Sequence, residues 1–481
     1  MTKKKEQIEY TPTLTPKDVI RVNPAIDFKD KAYFGIYLPV KEDVRDKFFL
    51  ITSYREIISP YKKNSEIFLT HNPVYYNRWN LDSINEFKKS MNSLPIKDLF
   101  YEIVEILKSY IEFPQEEIYD FIALWIMGTY LFPLFKTYPY VYIGGVKQTG
   151  KSKTLHITSL MSFNSIFSTS ISTSALFRLI ESGRCSLFMD ESEKLSNPKR
   201  SADFREILLS GYKRSGKSHR SEKTKDGQFY VKDFEVYSPK MLANIYGLEN
   251  ILEDRCIKFI MKRTLSKEIG DKEIDDESFY WPEIRGKLYV FAMDYWEEIK
   301  KIYDVLGNQT GLSNRDWELW HPIFAIASLI EKELYDRMVE LAKQKSIEKH
   351  TENITETGEY LLIQALLGLV EDKTGFIPVK SIQDKMQLYF DGEQKWLNTK
   401  WIGRALGRLG FKDKRRIGTG IEYQLSVNSV NDIANRLGIS LQNTTTQTSQ
   451  TSQTTLKSEV NEVNEVSEVK KNDNKKEMND K

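Results

Sequence analysis

The stretch Gly145-Val-Lys-Gln-Thr-Gly-Lys-Ser152 constrains this chain more than any other. It fits G-x-x-x-x-G-K-[ST], a loop whose glycines let successive backbone N–H groups curl around phosphate oxygens. The apolar run Tyr140-Val-Tyr-Ile143 before it reads as a buried strand. The residues after it read as a helix whose N-terminus faces the same anion. Strand, loop and helix in this order predict a parallel sheet covered by helices. Gly145, Val146, Lys147, Gln148, Thr149, Gly150, Lys151, Ser152 and Lys153 are the expected nucleotide contacts. Lys151 would place its charge on the β- and γ-phosphates of ATP, and Ser152 would give its hydroxyl to Mg²⁺.

Further positions can complete such a site. A second apolar run, Cys185-Ser-Leu-Phe-Met189, ends in Asp190-Glu191. An acid at the end of a parallel strand sits where the phosphate loop opens. Asp190 is therefore expected to hold the Mg²⁺ shell and Glu191 to polarise the attacking water. Phe234 to Tyr237 reads as a third buried strand, followed by Asn244, whose amide can orient that water. A fourth strand, Cys256-Ile-Lys-Phe-Ile-Met261, begins after Arg255. On a lone chain Arg255 is a surface arginine; in a ring it can reach the neighbouring subunit's γ-phosphate. The expected catalytic set is Lys151, Asp190, Glu191, Asn244 and Arg255.

Composition narrows the partners. Lys+Arg number 70 against 68 Asp+Glu, so nucleic-acid binding must come from local basic patches. At 481 residues and 40% hydrophobic, the chain predicts several domains with real cores. No apolar run approaches a membrane span, and the basic start Met1-Thr-Lys-Lys-Lys-Glu-Gln7 has no apolar stretch behind it. Neither a membrane nor a secretory role is expected. Cys185 and Cys256 lie far apart and the histidines are scattered, which excludes a zinc or disulfide framework and fits a reducing, cytoplasmic setting.

The chain divides by pattern. Residues 1–95 read as a small β-rich region, with strands near Tyr33–Pro39 and Lys47–Ser53. Residues 96–265 carry two leading helices, at 96–113 and 115–131, and then alternating strands and helices. Residues 266–350 are helical, and 351–440 form a compact helical and basic module. Beyond 441, a Thr/Gln/Ser-rich run and a polar stretch with Val460, Val463, Val466 and Val469 hold too little apolar mass to order.

The phosphate loop, the acid pair, the asparagine and the arginine, in this order, resemble the AAA+ ATPases. A predicted helix at Asp203–Ser210 leads into Tyr212-Lys-Arg-Ser-Gly-Lys-Ser-His-Arg220, an Asp226-Gly227 turn and a returning strand at Gln228–Tyr237. A basic hairpin just before the asparagine is similar to the pre-sensor hairpin of MCM-like replicative helicases. Ser174-Ala-Leu-Phe-Arg-Leu-Ile180, Tyr237-Ser-Pro-Lys-Met-Leu-Ala243 and the 314–327 segment resemble helicase-like ATPases of plasmids, phages and mobile chromosome cassettes. The likeness spans roughly 112–330 and, more loosely, 350–440. The first 90 residues show none of the paired acids or zinc cysteines of the primase domain that some relatives carry there.

The resemblance implies Walker A at 145–152, Walker B at Asp190 and Glu191, sensor 1 at Asn244 and an arginine finger at Arg255. It also implies a second sensor arginine in a helical lid, at Arg285 or Arg315. The fold it implies is α/β: an AAA+ P-loop ATPase core with helical lid, a small N-terminal β-rich region, a C-terminal winged-helix domain and a disordered tail.

Two basic regions are candidates for DNA. Lys213, Arg214, Lys217, Arg220, Lys223 and Lys225 crowd the hairpin against Glu222 and Asp226 and can track a phosphate backbone. In the C-terminal module, helices at Glu359–Val370 and Ser381–Tyr389 precede a third at Thr399–Leu409 bearing Lys400, Arg404 and Arg408. Lys412, Lys414, Arg415 and Arg416 and a Gly418-Thr-Gly420 turn come next, the outline of a winged helix on duplex DNA. The expected protein is an ATP-driven DNA helicase or translocase of a replicon, working as a homohexameric ring. The alternatives are an ATP-dependent initiator or switch that binds DNA without unwinding it, and a transcription regulator led by the winged helix.

Overall fold

The computed structural model describes residues 20–436 and 439, apart from 41–45, 63–65, 75–77, 91, 169–171, 191–197, 225, 245–247, 249, 357, 373, 391–393, 395–396 and 419. Glu191, Lys225 and the 441–481 tail thus lie outside the described residues. The chain forms two compact units, residues 1–348 and 349–481.

In the first unit, β1 (Ile20–Val22) pairs in parallel with β6 (Ile67–Leu69). Between them β2 (Ile26–Phe28), β3 (Ala32–Leu38), β4 (Lys47–Thr52) and β5 (Ile57–Ile58) form an antiparallel meander. Three helices come next in the chain: α1 (Leu81–Lys89), α2 (Ile96–Tyr110) and α3 (Glu116–Thr129). Every residue of α3 from Ile118 to Thr129 is buried, as a helix apolar on all sides requires. The β-rich region shares its core with the sequence-distant Tyr289. Trp79 stacks on that ring at 4.7 Å, and Phe34 meets it edge-on at 5.5 Å.

The centre of the unit is a five-stranded sheet. Its members are β7 (Tyr140–Gly144), β8 (Ile166–Ser168), β9 (Leu187–Met189), β12 (Lys240–Ala243) and β13 (Cys256–Ile260). They run in parallel in the order β13-β7-β12-β9-β8. Helices α4 (Lys151–Met161), α5 (Thr173–Gly183) and α6 (Pro198–Ser210) alternate with these strands. The hairpin β10 (Lys217–Lys223) and β11 (Phe229–Glu235) and the short α7 (Asn250–Glu253) complete the alternation. Then come α8 (Lys267–Asp271), α9 (Tyr280–Val305), α10 (Asn314–Ile330) and α11 (Lys332–Glu356).

One strand differs from expectation. Phe234–Tyr237 was the predicted third strand of the sheet, yet Phe234 belongs to the hairpin and the sheet strand is Lys240–Ala243. Lys240 conceals the apolar run. It is fully buried, and its ammonium donates to the carbonyls of Val236 and Ser238, both at 3.1 Å. Burial drives its pKa well below that of an ordinary lysine.

The second unit holds α12 (Gly358–Asp372), β14 (Gly375–Pro378), α13 (Val379–Gln387), α14 (Thr399–Arg408), β15 (Lys414–Ile417), β16 (Gly420–Leu425) and α15 (Val427–Arg436). The strands form an antiparallel sheet in the order β14-β16-β15, turned at Gly418, whose φ of 57° suits glycine. Ile402, Ala405 and Leu406 bury one face of α14 in this unit's own core.

Candidate nucleotide site and hairpin

The loop after β7 needs its glycines. Gly145 has φ +141°, and a Cβ there would stand 2.7 Å from the carbonyl of Met261 at the end of β13. Gly150, at φ +85°, opens α4 with no side-chain cap. The first-turn N–H groups of α4 therefore lack intrahelical partners and, with the positive end of the helix dipole, make an anion seat. Lys151 is buried, and its ammonium donates to the carbonyls of Gly145 at 2.8 Å and Val146 at 2.7 Å. Ser152 is exposed on the same first turn.

Register brings the other polar groups to this edge. Leu242 of β12 is level with Tyr142 of β7 on one side and Met189 of β9 on the other. Asn244, one residue past β12, and Asp190, one past β9, thus lie beside the loop. Asn244 is buried, and its Oδ1 accepts from the Tyr142 hydroxyl at 2.6 Å. A hydroxyl and a carboxylate are the hard oxygen donors that suit Mg²⁺, which fills its other positions with phosphate and water. Among the described residues no group of three or more His, Cys, Asp or Glu stands together as a metal-holding cluster.

A cavity of about 120 Å³ opens beside the loop, lined by Ile111, Glu112, Thr149, Lys153 and Met261 among others. Glu112 accepts from the Thr264 hydroxyl and from the N–H groups of Leu265 at 3.2 Å and Ser266 at 3.4 Å. These bonds, Thr264's foremost, hold its carboxyl below the usual range. Lys153 donates to the Ile269 carbonyl at 2.6 Å and ties α4 to α8. Glu112 was missed in the sequence because its partners lie some 150 positions away and no local pattern announces them.

The arginines separate. Arg255 precedes β13, whose first residue pairs with Tyr140 and whose last pairs with Gly144. It is therefore a strand's length, about 16 Å, from its own phosphate loop. Its Nε donates to the Leu209 carbonyl at 2.9 Å, and its guanidinium lies 5.0 Å from the Tyr212 ring centre. Arg315 meets the same ring at 5.2 Å and donates to the Tyr212 hydroxyl. Arg285 instead donates to the Leu160 carbonyl at 2.9 Å, at the far end of α4 from the loop. There it joins Arg78, which donates to Leu160 and Ser162 at 3.2 and 3.0 Å. Burial and the neighbouring Arg78 lower its pKa to about 10. Two cations at a helix C-terminus complement its dipole. Arg285→Ala should accordingly cost about 1–3 kcal/mol of stability and leave nucleotide affinity near the parent's. Thermal melting beside nucleotide titration checks this; lost affinity without lost stability would return Arg285 to the nucleotide site.

The hairpin divides its cations between two faces. Ser218 and Phe234 are buried, so their face packs inward, and Arg220 goes with it. Arg220 stands 4.7 Å from the Phe177 ring and 3.5 Å from Glu206. Lys217 and His219 share Asp233, at 3.4 and 2.7 Å. Lys213 pairs with Glu318 at 2.8 Å and Arg214 donates to the Pro133 carbonyl, both at the hairpin's root. Sequence reasoning named Lys223 on the outer arm but passed over the residues facing it, where Phe229, opposite Lys223, is 70% and Val231 69% exposed. In the second unit Lys400, Arg404, Lys414 and Arg416 are exposed, Arg408 pairs with Glu359 at 2.6 Å, and Arg415 pairs with Glu422 at 2.9 Å.

Neither a protein-family model nor a curated protein matches this chain. Among solved structures it is similar to the active helicase Cch of SCCmec type IV, at 12% identity over 84% of this chain and 80% of that one, with a TM-score of 0.35. It is similar also to the apo C-terminal region of NrS-1, at 13% identity over 75% and 80%, TM-score 0.33. A full-length MCM homolog from Methanopyrus kandleri matches at 9% identity over 66% and 74%, TM-score 0.34. Identities and TM-scores this low leave the case for function to the chain's own geometry.

Proposed function

We propose that this chain is an AAA+ ATPase that drives DNA unwinding or translocation as a homohexameric ring in the replication of a plasmid, virus or mobile element. The observation that carries the reading is the shared strand β12. It ends at Asn244 beside the phosphate loop and begins at Lys240, which grips the hairpin's root through Gly211, Val236 and Ser238. A shift at the nucleotide therefore has a rigid path, one short strand long, to the hairpin. In this reading Lys151, Ser152 and Asp190 hold ATP and Mg²⁺, and Asn244 with Glu191 orients the water. The ion supplies charge for the β- and γ-phosphates, and the chain supplies position and exclusion of bulk water.

The second unit's order of helix, strand, two helices and a hairpin supports a winged helix. Lys400 and Arg404 on α14 would lie on duplex DNA, with Lys414 and Arg416 on its backbone.

One observation favours a DNA-binding switch without unwinding: the hairpin's Lys217 and Arg220 are already paired with acids. Fork unwinding decides between the two. Phe229 offers a ring for base stacking and Lys223 a cation for the backbone. Phe229→Ala with Lys223→Ala should lower fork unwinding at least about tenfold and spare the DNA-free ATPase. Normal unwinding by this variant would remove the outer arm from the mechanism, whereas a parent that binds forked DNA and leaves it paired would favour the switch.

A further inference from the structure

A groove of about 860 Å³ runs between the N-terminal β-region and the hairpin, outside the nucleotide site and the hairpin's outer arm. Tyr61, Lys62, Phe68 and His71 line one wall; Arg178 of α5 and Lys232 of β11 line the other. We propose that this groove binds single-stranded nucleic acid, an inference that rests on the DNA-translocating reading above.

Charge, ring placement and size argue for this occupant. Glu181, the acid among the lining residues, is nearly buried and held by Lys232 at 3.2 Å and His71 at 3.5 Å. Lys62 is exposed, and Arg178, its side chain 59% exposed, is paired with Glu222 outside the lining. Among the lining residues Lys62, Arg178 and Lys232 thus outnumber Glu181, and the excess toward solvent rests chiefly on Lys62. Phe68 is 56% and Tyr61 66% exposed among these cations. Rings interleaved with cations are what a single strand requires: stacking for bases that have lost their partners, and positive charge along the backbone. A cleft of this volume falls in the range that takes a drug-sized ligand, which is room for a few nucleotides. The groove is also continuous with the hairpin, because Lys232 sits on its returning arm and Arg178 bonds Glu222 on its outgoing arm at 2.8 Å. A strand engaged at Phe229 can therefore pass into it.

A peptide is the competing occupant, since among the described residues β6 pairs with β1 alone and leaves an edge open. Peptide addition uses backbone bonds and has no need of exposed rings or excess cations.

The test uses the full chain and fluorescent oligo(dT) in two lengths, about 6 and about 25 nucleotides, one near the lower end of the usual single-strand site size and one beyond its upper end. Phe68→Ala with Tyr61→Ala should weaken the long oligonucleotide at least about tenfold and leave the short one, which the hairpin alone can hold, within about twofold. Lys62→Glu should flatten the salt dependence for the long oligonucleotide by roughly 0.7 of a log–log unit or more. Phe68→Trp, which keeps a stacking ring, should retain parent affinity and so separates stacking from damage to the fold. Unchanged long-oligonucleotide binding in the double alanine variant would sink the groove while leaving the helicase reading intact. A parent that binds neither length would sink both. If a labelled peptide of residues 457–481 binds the parent and loses affinity in the double variant while oligo(dT) does not, the groove is a peptide site and the inference is wrong.

Discussion

Lys151→Ala should reduce ATP turnover by roughly 10³-fold or more, the scale of removing a preorganised charge from a developing anion. The ammonium is buried and held by the Gly145 and Val146 carbonyls, so it is positioned before any phosphate arrives. Its loss removes the cation that the proposed reading assigns to the γ-phosphate, and with it the donor to two loop carbonyls, while the backbone angles at Gly145, Gln148 and Gly150 stay available to the loop. Thermal stability should fall by no more than about 1–3 kcal/mol. A nucleotide hydrolysis assay beside a melting curve checks both, and a variant retaining more than about a tenth of parent turnover would overturn the role.

That loop was legible because its chemistry is local. Positive φ at Gly145 and Gly150 demands glycine, the lysine and serine come within the same turn, and a buried strand must precede them. Asp190 and Asn244 were legible for a related reason: strands β9 and β12 end where the acid and the amide begin, and parallel register does the rest. The strand carrying Asn244 was placed too early because a buried lysine interrupts its apolar run. Periodicity cannot register that Lys240 finds carbonyl partners at Val236 and Ser238. The hairpin taught the opposite lesson. Its charge run reads from the sequence as a basic arm, but Arg220 turns inward and Lys217 is shared with an acid across the strand pair. Which face of a hairpin packs inward is decided by Phe234 and Ser218 meeting their neighbours, and composition does not encode that. Likewise Arg285 and Arg315 were equivalent lid candidates until packing sent one to the end of α4 and the other to Tyr212.

The pairing of Arg315 with Arg255 sharpens the remaining prediction. Both guanidiniums address one tyrosine ring, at the end of the sheet remote from their own phosphate loop. With about 16 Å of strand between its backbone and its own loop, and its guanidinium turned to Leu209 and Tyr212, Arg255 does not address the γ-phosphate there, so any catalytic role has to be served to a neighbour. Arg255→Ala should lower turnover by about 10³-fold or more, the scale of lost arginine fingers, while each subunit keeps its nucleotide affinity. Mixing that variant with Lys151→Ala should restore part of the activity, although each is inactive alone. With random assembly in equal amounts, an intact pocket faces an intact arginine at about a quarter of the interfaces. Repeating the mixture with Arg315→Ala in place of Arg255→Ala asks whether the second arginine travels with the first. Rescue in both mixtures means that one subunit offers the pair together, with Tyr212 as the shared platform. Absence of rescue at every mixing ratio would place Arg255 among structural arginines and remove the main reason for a ring.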